Sequence, residues 1–295
     1  MTFAKDPIRI EPRLLPRRWG REQASAWCAG ALRPSGAIGE IWLAHPYNMT
    51  SNGAHFGALL AGDTNALLGE LGRAPPSLRL IVTDETSDPI TTDAPVALWR
   101  MLECPLDATV NIYPAHGPAR AMRCRRGDLL RLSEGPRVVL SSGVTALEAR
   151  ANFTPTNKPK ELRVQRLMPA HDKKHRTTWL RDAAMSVEAW TLPELSYLEP
   201  DGETCHVLMA LTPGVTIDGE PLSRGDAVFL PAEGRRVTLT GRGAEVVVSY
   251  PDLVPTDIWK HPHLPKPARM ALDPGLHAQS MIGADIGVHA WRPAA

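Results

Sequence analysis

The feature that most restricts how this chain can fold is a repeat whose two copies lie about a hundred residues apart. Residues 126–140 read RGDLLRLSEGPRVVL, and residues 224–239 read RGDAVFLPAEGRRVTL. Both copies open with Arg-Gly-Asp, continue through an apolar run to a leucine, and share Glu-Gly before a closing Arg-Val-X-Leu. Glycine gives a tight turn its backbone freedom, and aspartate bonds the amides of its own turn. The repeat therefore predicts two copies of one turn-and-hairpin unit, as in a duplicated domain.

The rest of the sequence favours short strands over long helices. The 295 residues include 28 prolines and 23 glycines, which are the residues of turns. From Pro95 onward, short β-branched runs such as ATVNIYP and RVVL alternate with turn residues. Leucines recur at helical spacing only over residues 56–72. We therefore predict a mainly β protein with a few short helices.

The same pattern predicts four segments along the chain. An N-terminal module covers residues 1–153, and the Pro- and Lys-containing stretch 154–162 reads as a linker. A second strand-rich module follows over residues 163–255. The rest, residues 256–295, is rich in proline and histidine without a clear period, and we expect an extended tail.

Composition excludes several classes of function. Lys and Arg number 33 against 32 Asp and Glu, so no basic surface for nucleic acid is indicated. The sequence lacks a run of about 20 apolar residues, which a membrane helix needs. The four cysteines form no CxxC pair, and the first residues do not resemble a signal peptide. We expect a cytoplasmic protein with reduced thiols, and an oligomer is compatible with the sequence.

A Gly-Asp turn followed by a strand, a short loop and a returning strand resembles the second motif of cupins, which are small jelly-roll barrels. Other segments, in the same order, resemble type I mannose-6-phosphate isomerases. These segments are Ile10 to Gly20 (IEPRLLPRRWG), Gly39-Glu40-Ile41-Trp42, Leu98 to Pro114, Leu147 to Asn152 and residues 185–250. The resemblance spans residues 8–255 and implies two cupin-type jelly-roll barrels in a divergent member of that family.

The resemblance also implies where a metal would be. That family interconverts mannose 6-phosphate and fructose 6-phosphate with a zinc ion held by a Gln-x-His pair, a Glu and a further His. Here the pair reads Asn111-Ile112-Tyr113, the strand bearing the Glu is missing, and the last position is Val138 beside Arg137. Asn is a poor zinc ligand, and a Tyr has its ordinary pKa near 10. We therefore predict no metal there and no cofactor.

Polar residues remain around the expected pocket of the first barrel. An arginine beside a glutamate can bind a sugar or a carboxylate without a metal, or can simply fill a vacated metal site. The predicted ligand-binding residues are Glu40, Asn111, Arg137, Asn152 and His116, and the predicted acid–base pair is Tyr113 and Glu148.

Three functional hypotheses follow. The chain is a divergent isomerase-like protein of sugar metabolism whose own activity is open, a non-catalytic protein that binds a sugar or sugar phosphate, or a metal-free acid–base enzyme. Fold alone does not decide between them. Metal content, ligand stabilisation and turnover distinguish the three.

Overall fold

The computed structural model describes residues 5–22, 26–28, 35–62, 64–114, 117–133, 135–152, 164–173 and 175–261. Over these ranges the chain is mainly β, with four antiparallel sheets and two short helices. The predicted fold class is therefore confirmed and is consistent with a cupin-like fold.

In chain order, the elements fall into two halves. The first half of the chain contributes β1 (Ile8–Ile10), β2 (Arg13–Arg21), β3 (Ile38–Ala44), α1 (Phe56–Leu60), α2 (Thr64–Leu68), β4 (Ser77–Val82), β5 (Ile90–Thr91), β6 (Val96–Glu103), β7 (Thr109–Tyr113), β8 (Arg120–Arg123), β9 (Leu129–Ser133), β10 (Arg137–Leu140) and β11 (Thr145–Arg150). The second half contributes β12 (Val164–Leu167), β13 (Ala170–Lys173), β14 (Arg176–Asp182), β15 (Met185–Thr191), β16 (Leu195–Leu198), β17 (His206–Ala210), β18 (Val215–Ile217), β19 (Glu220–Leu222), β20 (Ala227–Leu230), β21 (Val237–Thr240), β22 (Glu245–Tyr250) and β23 (Trp259–Lys260). The helical stretch predicted over 56–72 is two short helices rather than one.

Each half of the chain encloses an apolar cluster between two sheets. In the N-terminal barrel, a seven-stranded sheet ordered β12-β9-β6-β11-β4-β3-β2 packs against a four-stranded sheet ordered β5-β10-β7-β8. In the C-terminal barrel, a seven-stranded sheet ordered β1-β20-β17-β22-β15-β14-β13 packs against a five-stranded sheet ordered β19-β18-β21-β16-β23. These strand orders apply to the part of the chain that the structure describes.

A third apolar cluster joins the two halves. It contains Leu78 and Leu80 from one seven-stranded sheet and Val207 and Met209 from the other, together with residues of both helices. Alternate residues of a strand face opposite sides of its sheet. Both faces of the seven-stranded sheets are therefore buried, which explains apolar runs such as the VVVS of β22.

Two strands pair across the division of the sequence. Strand β1 pairs with β20, so that Ile8 lies opposite Phe229, and β12 pairs with β9. The predicted module boundaries stay a prediction, and the linker 154–162 and residues 262–295 lie outside the described residues. The first residues of the predicted tail are packed, because Trp259 of β23 stacks on Trp190 with ring centroids 4.7 Å apart.

The thiols and the helices agree with the compositional analysis. All four cysteines are free, and the Sγ atoms of Cys104 and Cys124 lie 3.9 Å apart. Within the ranges that the structure describes, neither helix has the length and apolar character needed to span a bilayer.

The two copies of the sequence repeat form the same turn. Gly127 and Gly225 have φ angles of 95° and 90°. Their amides donate to the carbonyls of Met101 and Ala210, each at 2.8 Å. Asp128 and Asp226 each accept a backbone N–H from three residues earlier in the turn, both at 2.9 Å. The prediction of a duplicated Gly-Asp turn leading into a strand is confirmed.

The two turn glycines differ in the space around them, which gives a matched test. A Cβ on Gly225 would lie 3.2 Å from the backbone nitrogen of Cys28, whereas one on Gly127 meets nothing closer than 3.7 Å. We expect Gly127→Ala to lower the free energy of unfolding by about 1–3 kcal/mol through backbone strain alone. Gly225→Ala should lower it further, as measured by urea denaturation.

Gly202→Ala is the control, because Gly202 has a φ of 85° and open space around its Cα. It should match Gly127→Ala. An equal loss in all three variants would contradict the close approach at Gly225.

Candidate functional site

Five charged side chains alternate in sign across one end of the N-terminal seven-stranded sheet. They stand on β2, β3, β4 and β11 and form what we call the arginine–glutamate ladder: Arg17, Glu40, Arg79, Glu148 and Arg150. Arg79 is flanked by Leu78 and Leu80, which face the inter-barrel cluster, so Arg79 points into the barrel. The ladder therefore lines the inside of the N-terminal barrel at one end.

Arg79 is the centre of the ladder. Its Nη1 donates to Glu40 at 3.0 Å, and its Nε donates to Glu148. Its Nη2 donates to the carbonyl of Thr91 on β5 at 2.9 Å, and Thr92 donates to Glu148 at 2.9 Å. Because β5 belongs to the opposite sheet, these bonds join the two sheets of the barrel at this end.

The carboxylate of Glu40 is held in its charged form. It accepts from Arg17 Nε at 2.8 Å and from Trp42 Nε1 at 3.1 Å, besides Arg79. Burial raises the pKa of Glu40, but attraction to Arg79 and the bonds from Trp42 and Arg17 outweigh it, so that the pKa lies below its ordinary value. The pKa of Arg79 is raised, because its two carboxylate partners outweigh burial. With three arginines and two glutamates, the ladder carries a net positive charge.

An aromatic rim lies beside the ladder. Trp42 and His45 have ring centroids 4.0 Å apart, and Tyr47 follows at 5.2 Å from His45. The guanidinium carbon of Arg13 lies 5.6 Å from the centre of the Trp42 ring. Tyr47 is 64% exposed, so this rim meets solvent.

His45 is neutral at pH 7. Burial, followed by the charges of Arg150, Arg79 and Arg13, lowers its pKa to about 4. Its Nδ1 accepts the backbone N–H of Tyr47 at 3.4 Å, which favours the tautomer with the proton on Nε2. The ring therefore offers one N–H donor at the rim.

Two of the predicted site residues belong to the ladder, and four others lie elsewhere. Glu40 and Glu148 meet through Arg79 as described. Asn111 and Tyr113 lie on the outer face of β7, because Val110 and Ile112 fill the barrel interior. The sequence had led us to expect Asn111 and Tyr113 to point into the barrel. The structure differs because β-branched side chains gain more from burial than an amide and a phenol do.

Two further predicted residues, Arg137 and Asn152, are also separate from the ladder. Arg137 is exposed and lies opposite Tyr113 across the strand pair β10–β7. Asn152 donates to the carbonyl of Pro75 at 2.6 Å and accepts from Ser77 at 3.1 Å, so it fastens the start of β4. His116 lies outside the described residues.

The described residues of this barrel do not fit the zinc that the family resemblance implies. Of these residues, no three His, Cys, Asp or Glu side chains are grouped closely enough to hold a metal. The inward positions of β7 are Val110 and Ile112, which have no donor atoms in their side chains. The carboxylates of Glu40 and Glu148 already accept from arginines. No chemical step through a metal follows from this arrangement.

Sequence reasoning missed Arg79, although a signal was present. Arg79 is the lone charge in the run SLRLIV, and every residue of that strand is buried. A charge in a strand that is buried on both faces needs an internal partner. The spacing Glu148-x-Arg150 is a second signal, since residues two apart on a strand share a face.

The C-terminal barrel has a buried polar cluster of its own. Glu188 accepts from Arg176 Nη2 at 2.6 Å, Trp190 Nε1 at 2.7 Å and the Tyr250 hydroxyl at 2.9 Å. His206 Nε2 lies 2.9 Å from the hydroxyl of Thr256. Glu188, His206 and Tyr250 are fully buried, and burial lowers the pKa of His206 to about 3. Within the described residues, Nδ1 of His206 is buried without a hydrogen-bond partner, whereas the carboxylate of Glu188 is fully engaged. Because Glu188, His206 and Tyr250 are all buried, they present no exposed group to a ligand.

Comparisons with known proteins identify the fold. No family model and no curated protein matches the chain. Among solved structures, it is similar to the mannose 6-phosphate isomerase of Bacillus subtilis, with 18% identity over 83% of this chain and 99% of that chain and a TM-score of 0.64. It is also similar to the apo form of mannose 6-phosphate isomerase from Salmonella typhimurium, with 12% identity, coverage of 84% and 100%, and a TM-score of 0.62. The resemblance predicted from the sequence is confirmed at the level of the fold.

Removing the central arginine tests the ladder. We expect Arg79→Met to lower the free energy of unfolding by about 3–5 kcal/mol at neutral pH, because two buried carboxylates lose their shared partner. The deficit should shrink as the pH falls from about 7 to 5, because burial then raises the pKa of Glu40 and protonation favours the folded state. The wild type should show the opposite slope, losing stability as the pH falls through the lowered pKa of Glu40.

Urea denaturation from pH 7 down to about pH 3 measures both slopes, because the wild type loses this stability only below 4.5, the ordinary pKa of a glutamate. Arg79→Met combined with Glu148→Gln is the control and should recover part of the loss at neutral pH. A pH-independent deficit in the single variant would contradict the account.

Proposed function

We propose that this chain is a mannose-6-phosphate isomerase-like protein of carbohydrate metabolism that binds a sugar phosphate at the N-terminal barrel without isomerising it. The observation that carries the proposal is the net positive ladder beside an aromatic rim. The likeness in fold to two mannose 6-phosphate isomerases supports the substrate class.

The rim and the ladder offer complementary contacts to such a ligand. Arginine pairs with phosphate through two parallel N–H bonds, and Arg17 keeps 42% of its side chain exposed while it bonds Glu40. Tyr47, which is 64% exposed, offers a ring face to the apolar side of a sugar, and His45 offers an N–H to a hydroxyl. These contacts need no metal.

The same geometry argues against turnover. A proton shift between two sugar carbons needs a general base with a pKa near the working pH. Glu148 is fully buried and saturated by Arg79 and Thr92, and the pKa of Glu40 is lowered. Tyr113, the predicted partner of Glu148, lies on the outer face of the opposite sheet. The separation of this pair favours binding over metal-free acid–base catalysis.

Adjacent arginines on β2 give a matched test. We expect mannose 6-phosphate to raise the unfolding temperature of the wild type more than mannose does, because only the phosphate engages arginine. Arg17→Gln should weaken binding of mannose 6-phosphate about tenfold or more. Arg18→Gln should not, because Arg18 is 82% exposed and pairs with Asp88 at 2.7 Å.

Turnover and metal content are measured on the same protein. We expect no fructose 6-phosphate from mannose 6-phosphate. Bound zinc with turnover would overturn the proposal in favour of an active isomerase. Turnover by metal-free protein that Tyr113→Phe abolishes would favour the acid–base enzyme. If mannose and mannose 6-phosphate raise the unfolding temperature equally, the arginines do not recognise the phosphate and this part of the proposal is wrong.

A further inference from the structure

The two repeated turns of the sequence border one cavity. It has a volume of about 510 Å³ and lies where equivalent ends of the two seven-stranded sheets meet. Arg126 and Gly127 from the first copy and Arg224 from the second copy line it, and Arg100 of β6 joins them. The duplication thus brings two guanidinium groups to one place, where Arg100 adds a third, apart from the ladder.

Two of these arginines are held in position. Arg100 donates to the carbonyl of Gly127, and its guanidinium carbon lies 4.8 Å from the centre of the Trp179 ring. Arg224 donates to the carbonyl of Leu211 at 3.2 Å and lies 3.6 Å from the centre of the Trp27 ring. Aromatic faces and backbone carbonyls therefore fix both groups before any ligand arrives.

The third arginine, Arg126, has no polar partner among the described residues. Arg126 is exposed, and within the described ranges its side chain makes no hydrogen bond or ion pair. Burial lowers the pKa of both Arg100 and Arg224, and the charge of Arg126 lowers each further. The charge of Arg126 is thus close enough to repel both Arg100 and Arg224, and an anion beside it would relieve this repulsion.

The nearby acidic groups compensate only part of this charge. Glu103 divides its carboxylate between Arg21 at 3.3 Å and Arg224 at 3.4 Å. Asp128 accepts from its own turn and lies 3.3 Å from Arg166. Glu245 is the single carboxylate among the described residues that line the cavity. Three arginines against one glutamate leave the lining positive, with one acceptor for a hydroxyl.

We propose that this cavity binds the phosphate group of a small hydroxyl-bearing molecule. The phosphate lies among Arg100, Arg126 and Arg224, and Glu245 accepts from a hydroxyl. Leu211 and Pro213 line the cavity beside them and exclude water from the ligand's carbon skeleton. The volume suits a ligand of this size. The proposal is independent of ligand binding at the ladder, because the two sites share no residue.

Calorimetric titration of the full chain tests the proposal in an Arg17→Gln background, in which the ladder is weakened. The probes are inorganic phosphate and glucose 6-phosphate. We expect saturable binding of both, tighter for the ester because Glu245 and the apolar wall also engage it. Adding Arg126→Gln should weaken binding about tenfold or more.

Arg125→Gln is the matched control, because Arg125 is the exposed neighbour in the same turn and does not line the cavity. It should leave binding within about twofold of the background, as expected for a solvent-exposed charge that salt screens and that does not line the cavity. No phosphate binding in the Arg17→Gln background would overturn the proposal. Equal weakening by the two neighbouring variants would also overturn it, because only general charge would then be at work. Binding at the ladder is tested separately, by comparing the affinity of the wild type for the sugar phosphate with that of Arg17→Gln. Equal affinities would show that the ladder does not bind it.

Discussion

The two seven-stranded sheets share one apolar layer, and most other features of the molecule follow from it. Leu78 and Leu80 meet Val207 and Met209 across this layer, while the opposite face of each sheet closes its own barrel. A central strand in such a sheet, such as β4 or β17, has no solvent-facing side. Each charged residue on it must find its partners within the protein or lie at a strand end. In the ladder, the charged residues have partners within the protein. At the cavity beside the repeated turns, they lie at strand ends.

The ladder and the cavity differ in how many hydrogen-bond donors of their arginines are already paired. In the ladder, Arg79 is surrounded by Glu40, Glu148 and a backbone carbonyl, so its donors are largely used. At the turns, Arg126 has no such partner among the residues that the structure describes. A saturated network stiffens a barrel, whereas an open cluster of like charges gains from a counter-ion. The N-terminal barrel can therefore be rigid at one end and receptive at the other.

The sequence predicted what depends on local chemistry. The Gly-Asp repeat predicted the turns, because positive φ angles and Asp-to-amide bonds are properties of a few adjacent residues. The facing of β7 was not predicted. The resemblance to the isomerase family suggested that Asn111 and Tyr113 point into the barrel. A shift of one residue exchanges the two faces of a strand. In the structure, Val110 and Ile112 are the residues of β7 that point into the barrel. The arginine cavity was not foreseeable either, because it depends on how two distant turns are brought together by the shared layer.

The pairing of β1 with β20 has a consequence for how the chain is made. Ile8 and its partner Phe229 lie more than two hundred residues apart in the sequence. The strand that contains Ile8 therefore stays without this partner until the ribosome has made all the residues between them. Ile8 and Ile10, which end fully enclosed, are meanwhile exposed to other nascent chains and to chaperones. The C-terminal sheet can therefore form completely only after both β1 and β20 have been synthesised.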